Sequence, residues 1–233
     1  MPEVKFSTNA DEIGYSVKTI RQIRTIVRRW GRDHFQHYPW RYPVHLWHGL
    51  IAEILLQRTK AKNVVPVYET LIRTFVTPAD LGNASVEHIE SIIYPLGLKW
   101  RARLIKQLGE SLSRVSGTPP DTLKDLLELP AVGPYAAAAY LSFHARKRGT
   151  IIDANVVRWL CRLVDRPMDG ETRREKWLIA LADSFTPQRN TREYNYALLD
   201  FTMLICTTRP KCEECPLGAR YCAFRRRTLS HEE

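Results

Sequence analysis

The apolar residues of this chain recur with the period of an α-helix and almost nowhere with that of a strand. Val17, Ile20, Ile23, Val27 and Trp30 are spaced by 3, 3, 4 and 3, which lines one helix face. Leu46, Leu50, Ile51, Ile54 and Leu55 repeat the pattern, as do Leu104, Leu108 and Leu112. Breakers punctuate it: Pro39, Pro43, Pro66, Pro78, Pro95 with Gly97, Gly117 with Pro119 and Pro120, Pro130 with Gly133 and Pro134, and Pro167 with Gly170. Between them lie about ten helical segments of ordinary length. No repeat of fixed period and no low-complexity linker interrupts them. The expected fold class is all-α.

Length and composition narrow the class. The chain has 233 residues, 44% hydrophobic and 26% charged, enough for one large domain or two small ones with a real core. Its longest apolar runs, such as Ala136 to Leu141, are far shorter than the roughly 18 residues of a membrane span, so no membrane protein is expected. The first residues, MPEVKFSTNADEIGYS, lack the apolar core of a signal peptide. A cytoplasmic location is expected, nucleoid-associated if the source is prokaryotic, where disulfides are rare. The net charge of +10 points to a polyanionic partner, nucleic acid before acidic membrane. The charge gathers at both ends, on Arg21, Arg24, Arg28, Arg29 and Arg32, and again on Arg209, Lys211, Arg220 and Arg225 to Arg227.

Four of the five cysteines, Cys206, Cys212, Cys215 and Cys222, are separated by five, two and six residues. Four thiolates this close in a reducing compartment suit a metal centre better than two disulfides. Spacing alone does not choose between zinc and an iron–sulfur cluster. Cys161 stands among Val157, Leu160 and Leu163 and reads as a small buried hydrophobe.

Two further segments carry candidate chemistry. In Leu126 to Ala139 (LLELPAVGPYAAAA) a helix ends near Glu128, a tight turn uses Pro130 and Gly133, and an alanine-rich helix starts near Pro134. The amides of such a turn can hold a phosphate oxygen, or the turn can be a plain connection. Downstream lies Ile151 to Arg158 (IIDANVVR), in which Asp153 stands at a helix start. There it serves as an N-cap, a functional carboxylate, or both.

The hairpin LPAVGPYAAAA, the segment IIDANVVR and the four-cysteine loop, in that order, resemble the helix-hairpin-helix DNA glycosylases of the endonuclease III and MutY type. The likeness runs from about Tyr38 to Cys222. It implies a two-lobed fold. A six-helix barrel with its helix-hairpin-helix would occupy 34–148, the hairpin falling at about 129–135. A discontinuous iron–sulfur cluster domain would comprise 1–33 and 149–233, with its cluster loop at 206–222. Ile51 to Thr59 (IAEILLQRT) resembles the helix that lines the base pocket. Tyr135 stands where endonuclease III-like enzymes carry a Schiff-base lysine and MutY-like ones a serine. It resembles the archaeal Mig-type thymine/uracil mismatch glycosylases.

What the resemblance implies is specific. Double-stranded DNA with a mismatched or damaged base is the expected partner, and the chain is expected to act as a monomer. The enzyme flips the base out and hydrolyses the N-glycosidic bond of thymine or uracil opposite guanine. It leaves an abasic site for base excision repair, without Schiff-base lyase activity. Asp153 would stabilise the cationic sugar, Glu53 would hydrogen-bond the base from the edge of its helix stripe with Gln57 on the same flank, and Tyr135 would stack on or hydrogen-bond it. The amides around Val132, Gly133 and Tyr135 would hold a phosphate. Gln57 or Arg58 would fill the vacated hole, Leu98 would wedge the opposite strand, and Lys211 and Arg220 would add phosphate contacts. A 4Fe–4S cluster on the four cysteines is implied, with zinc as the other occupant, and a monovalent cation at the hairpin.

Two departures from the family stand out: Ala131 replaces the usual first glycine of the hairpin, and the cysteine spacing is five, two, six instead of six, two, five. Only eleven residues follow Cys222, so the extra C-terminal domain of MutY enzymes is not expected. The other readings are an adenine glycosylase acting on A opposite G or 8-oxoguanine, a non-catalytic iron–sulfur DNA-binding module and, more remotely, a zinc-ribbon transcription factor.

Overall fold

The computed structural model describes residues 15–97 and 99–230. Among them are thirteen α-helices and no strand. In chain order these are α1 (Val17–Asp33), α2 (Leu46–Leu55), α3 (Ala61–Thr74), α4 (Pro78–Asn83), α5 (Val86–Ile93), α6 (Arg101–Ser113) and α7 (Leu123–Leu127). They continue with α8 (Pro134–Phe143), α9 (Ala154–Leu163), α10 (Lys176–Phe185), α11 (Thr191–Leu204), α12 (Gly218–Tyr221) and α13 (Ala223–Leu229). The breakers had suggested about ten; α4, α7, α12 and α13, of four to seven residues, are too short to show a period. Nor does Pro66 break a helix. It lies inside α3, at the cost of one backbone hydrogen bond. No helix among the described residues is long and apolar enough to cross a membrane.

The chain divides into two compact units, His37–Gly149 and a second made of the segments up to Gln36 and from Thr150 on. The first unit holds α2 to α8. Its core is formed by Leu50, Ile54, Leu71, Ile105, Leu108 and Tyr140, all fully or almost fully buried. Helices α4 and α6 meet backbone to backbone: a Cβ on Gly109 would lie 2.7 Å from the Gly82 nitrogen, so only glycine admits the approach. Helix α2 runs through the middle, with nine of its ten residues buried, Trp47 to Leu55. That overturns the amphipathic reading of this segment. A helix enclosed on all sides has no solvent-facing flank, so Glu53 is interior rather than marginal. Leu46 at the helix start is 42% exposed. The helix also ends at Leu55, which puts Gln57 in the following turn and not on a shared face with Glu53.

The second unit holds α1 and α9 to α13. Ser16 caps α1 by accepting the Thr19 amide (3.2 Å). Ile20, Ile23, Val27 and Trp30 are buried, and α1 packs on α11, where the Trp30 and Phe201 rings meet edge to face at 5.3 Å. Val17, counted in the same stripe from its spacing, is 57% exposed because it is the first residue of the helix. The Tyr15 hydroxyl donates to the Leu163 carbonyl at 2.7 Å and contacts the Tyr221 carbonyl at 2.5 Å. These bonds tie the start of α1 to the ends of α9 and α12.

Candidate functional site

Asp153 begins α9 in extended backbone. Its Oδ1 accepts the Val156 amide at 2.7 Å, the expected N-cap bond. Its Oδ2 accepts the Asn155 side-chain amide at 2.7 Å. The Asn155 oxygen accepts from Arg158 Nη2 (2.9 Å), and Arg158 Nε donates to the Cys206 carbonyl (2.9 Å). A continuous hydrogen-bonded path therefore runs from the Asp153 carboxylate to the backbone of the first loop cysteine. Burial raises the Asp153 carboxyl above the ordinary carboxylate range, against the opposing pull of the Val156 and Asn155 hydrogen bonds and the Arg158 charge. Asn155 and Arg158 had been given no role. Their three-residue spacing on one helix face was a visible signal, but their link to Cys206 required the fold.

The four loop cysteines line one pocket. Cys206 follows α11, Cys212 opens a 3-10 turn, Cys215 closes it, and Cys222 precedes α13. Arg162 Nη1 donates to Cys206 Sγ (3.4 Å), and the Cys222 thiol points at the Arg162 carbonyl (3.5 Å). Burial pushes the Cys222 thiol up to about 11, and charge on Cys206, Cys215 and Cys212 pushes it the same way. Among the described residues, no three His, Cys, Asp or Glu side chains converge as a single metal ion requires. Lys211 lines the same pocket and pairs with Glu214 (3.4 Å). Exposed Arg220 lies 5.1 Å from the Tyr221 ring. Cys161 is 2% exposed, a core residue.

In the other unit, Glu53 is 2% exposed and meets a residue the sequence reading missed: His144 Nε2 lies 3.2 Å from Glu53 Oε1. Ninety-one positions separate the two, and no periodicity signals the pair. Beyond α2, Gln57 is half-buried and Arg58 is exposed with φ of 60°. Buried Arg101 holds this turn, donating to the carbonyls of Ile54 (3.0 Å) and Gln57 (2.7 Å). Leu98 lies outside the described residues.

The hairpin joins α7 to α8. Ala131 has φ of 66°, the left-handed conformation that glycine adopts without strain. The Val132 amide donates to the Leu129 carbonyl (3.3 Å), inside the turn, and Gly133 caps α8. Tyr135 is the second residue of α8, half-buried.

Residues 51–179 match the HhH-GPD superfamily of base excision DNA repair proteins. The chain is 35% identical over 210 residues to the thymine/uracil-DNA glycosylase of Pyrobaculum aerophilum, covering 87% of this chain and 91% of that protein. It is 31% identical over 205 residues to the thymine/uracil-DNA glycosylase of Methanothermobacter thermautotrophicus, covering 87% and 92%. A solved thermostable thymine-DNA glycosylase superposes with a TM-score of 0.80 at 28% identity, over 90% of this chain and 98% of that one. With its helical architecture and these matches along most of its length, the chain belongs to the HhH-GPD superfamily of base excision DNA repair proteins.

Proposed function

We propose that this chain is a DNA glycosylase that excises thymine or uracil opposite guanine by hydrolysis. The observation that carries the base preference is the 35% identity to a thymine/uracil-DNA glycosylase along 91% of that protein. Tyr135 supports hydrolysis without strand cleavage, because a phenol cannot form the Schiff base that a lysine forms. Asp153 supplies the chemistry. Breaking the N-glycosidic bond builds positive charge on the sugar, and an ionised carboxylate near C1′ stabilises that charge and orients water. Its two oxygens are held by Val156 and Asn155, so it is oriented before the substrate arrives. Glu53 and Tyr135 meet the extruded base. The amides of Gly133 and the first turn of α8 hold a backbone phosphate, carbonyl oxygens of the hairpin take a monovalent cation, Gln57 or Arg58 fills the vacated hole with Leu98 as the wedge on the opposite strand, and Lys211 and Arg220 add phosphate contacts.

The four cysteines hold a 4Fe–4S cluster in this reading. Four thiols around a shared pocket are a donor set that an iron–sulfur cluster takes. Arg162 beside Cys206 offsets the cluster's negative charge. The cluster's part is to order the loop that carries Lys211 and Arg220.

The test is single-turnover base release by the monomeric protein on T·G, U·G and A·G duplexes. Release of thymine and uracil with adenine retained is the expected outcome. Adenine release alone would make it an adenine glycosylase. Binding without release from any duplex would reduce it to a DNA-binding module.

A further inference from the structure

The pair in the core of the His37–Gly149 unit is not explained by packing. His144 is the residue after α8, with its side chain fully enclosed, and the Glu53 side chain is 3% exposed. Nε2 meets Glu53 Oε1, whereas Nδ1 is buried with no hydrogen-bond partner among the described residues. Among the described residues, Glu53 is therefore the one hydrogen-bond partner of this buried imidazole. The chain also makes room for the ring. A Cβ on Gly49, in the middle of α2, would fall 2.4 Å from His144 Cγ and Nδ1. Glycine is disfavoured inside a helix, and a core chosen for packing alone would take an apolar side chain at 144 and a larger residue at 49. Other polar and aromatic groups surround the pair. On α3 the Tyr68 hydroxyl is pushed up by burial first and the Glu53 charge second. On α8 the Tyr140 ring lies 6.0 Å from the His144 ring, and His48 on α2 is itself buried.

We propose that His144 is the positioning residue for Glu53: its Nε2–H donates to Oε1 and so fixes Oε2 as the oxygen that meets the extruded base, with Gly49 as the notch that admits the ring. This rests on the reading of Glu53 as a base-contacting residue. A carboxylate without this anchor would turn about its own side-chain torsions in the apo site, and its contact with the base would be made only part of the time.

The test compares Glu53→Gln, His144→Phe and His144→Gln in the full chain, by single-turnover release from T·G and U·G duplexes and by affinity for the same duplexes. Glutamine places an N–H close to where Nε2 stood, whereas phenylalanine keeps the ring and removes the donor. His144→Phe is expected to slow the maximal release rate by about 10- to 100-fold, the value of a hydrogen bond to a charged group, with duplex affinity little changed. His144→Gln is expected to recover most of that loss. Release at the parental rate by His144→Phe while Glu53→Gln is slow would overturn the proposal and leave the role of Glu53 standing. Equal impairment of folded His144→Phe and His144→Gln would assign the ring to packing and overturn it too. Parental release by Glu53→Gln would instead remove the reading on which the proposal rests. His144→Leu gives an independent route if the phenylalanine variant does not fold. It removes the donor with a smaller apolar side chain that leaves the Gly49 notch unclashed, so slow release by a folded protein is expected, and parental release would overturn the proposal.

Discussion

The side-chain amide of Asn155 donates to Oδ2 of Asp153 at 2.7 Å, and so turns a helix cap into a fully held carboxylate. An ordinary N-cap needs one oxygen, here the one that accepts from Val156. Asn155 takes the other, and is itself held by Arg158. Replacing Asp153 by Asn keeps a competent cap but removes the charge. Base release should fall by at least about 100-fold while duplex binding persists, measured by single-turnover assay and gel shift.

The raised Asp153 carboxyl has a pH signature. Release requires the ionised form, so its acid limb should lie above the ordinary carboxylate range. Stability moves oppositely. Between the unfolded and the higher folded value the native state binds more protons, so this group's contribution falls as pH rises through that window. Denaturant melts across the acidic range should show this slope in the parent protein and not in Asp153→Asn.

The strain at Ala131 is removable. Left-handed backbone costs an alanine about 1–2 kcal/mol, and glycine's extra unfolded-state freedom returns part of that. Ala131→Gly should therefore stabilise the protein by about 0.5–1 kcal/mol, read as a rise of roughly 1–3 °C in Tm. It should also tighten duplex binding if the hairpin holds a phosphate.

Tyr135→Lys should introduce strand cleavage, because an amine at this position can attack the sugar and form a Schiff base. Borohydride trapping of a covalent protein–DNA adduct by this variant, and none by the parent, is the expected pair of results.

A cluster on the four cysteines should make the protein brown, with iron and sulfide in equal amounts. Cys215→Ser should lose colour and iron and weaken duplex binding through disorder of the Lys211 and Arg220 loop. A colourless, zinc-containing parent protein would reject the cluster.

Much of this molecule is visible in short stretches of sequence. The helical period of Ile20, Ile23, Val27 and Trp30, the cap at Asp153, the turn at Pro130 to Pro134 and the spacing of the four cysteines are all local patterns, because a helix face, a cap and a cysteine-bearing loop each form between residues near in the chain. Even the departure at Ala131, where the resembled family has glycine, is a signal carried by one residue of a turn, and its φ of 66° is the conformation that glycine favours. What lay beyond the sequence is set by contacts between distant segments. Only the fold encloses α2 completely and so turns Glu53 from a marginal residue into a buried one. Only it brings His144 to Glu53 across 91 positions and Arg158 to Cys206 across 48. Burial and long-range hydrogen bonds are properties of which surfaces meet, and periodicity records only which face of an element is apolar, never what comes to lie against it.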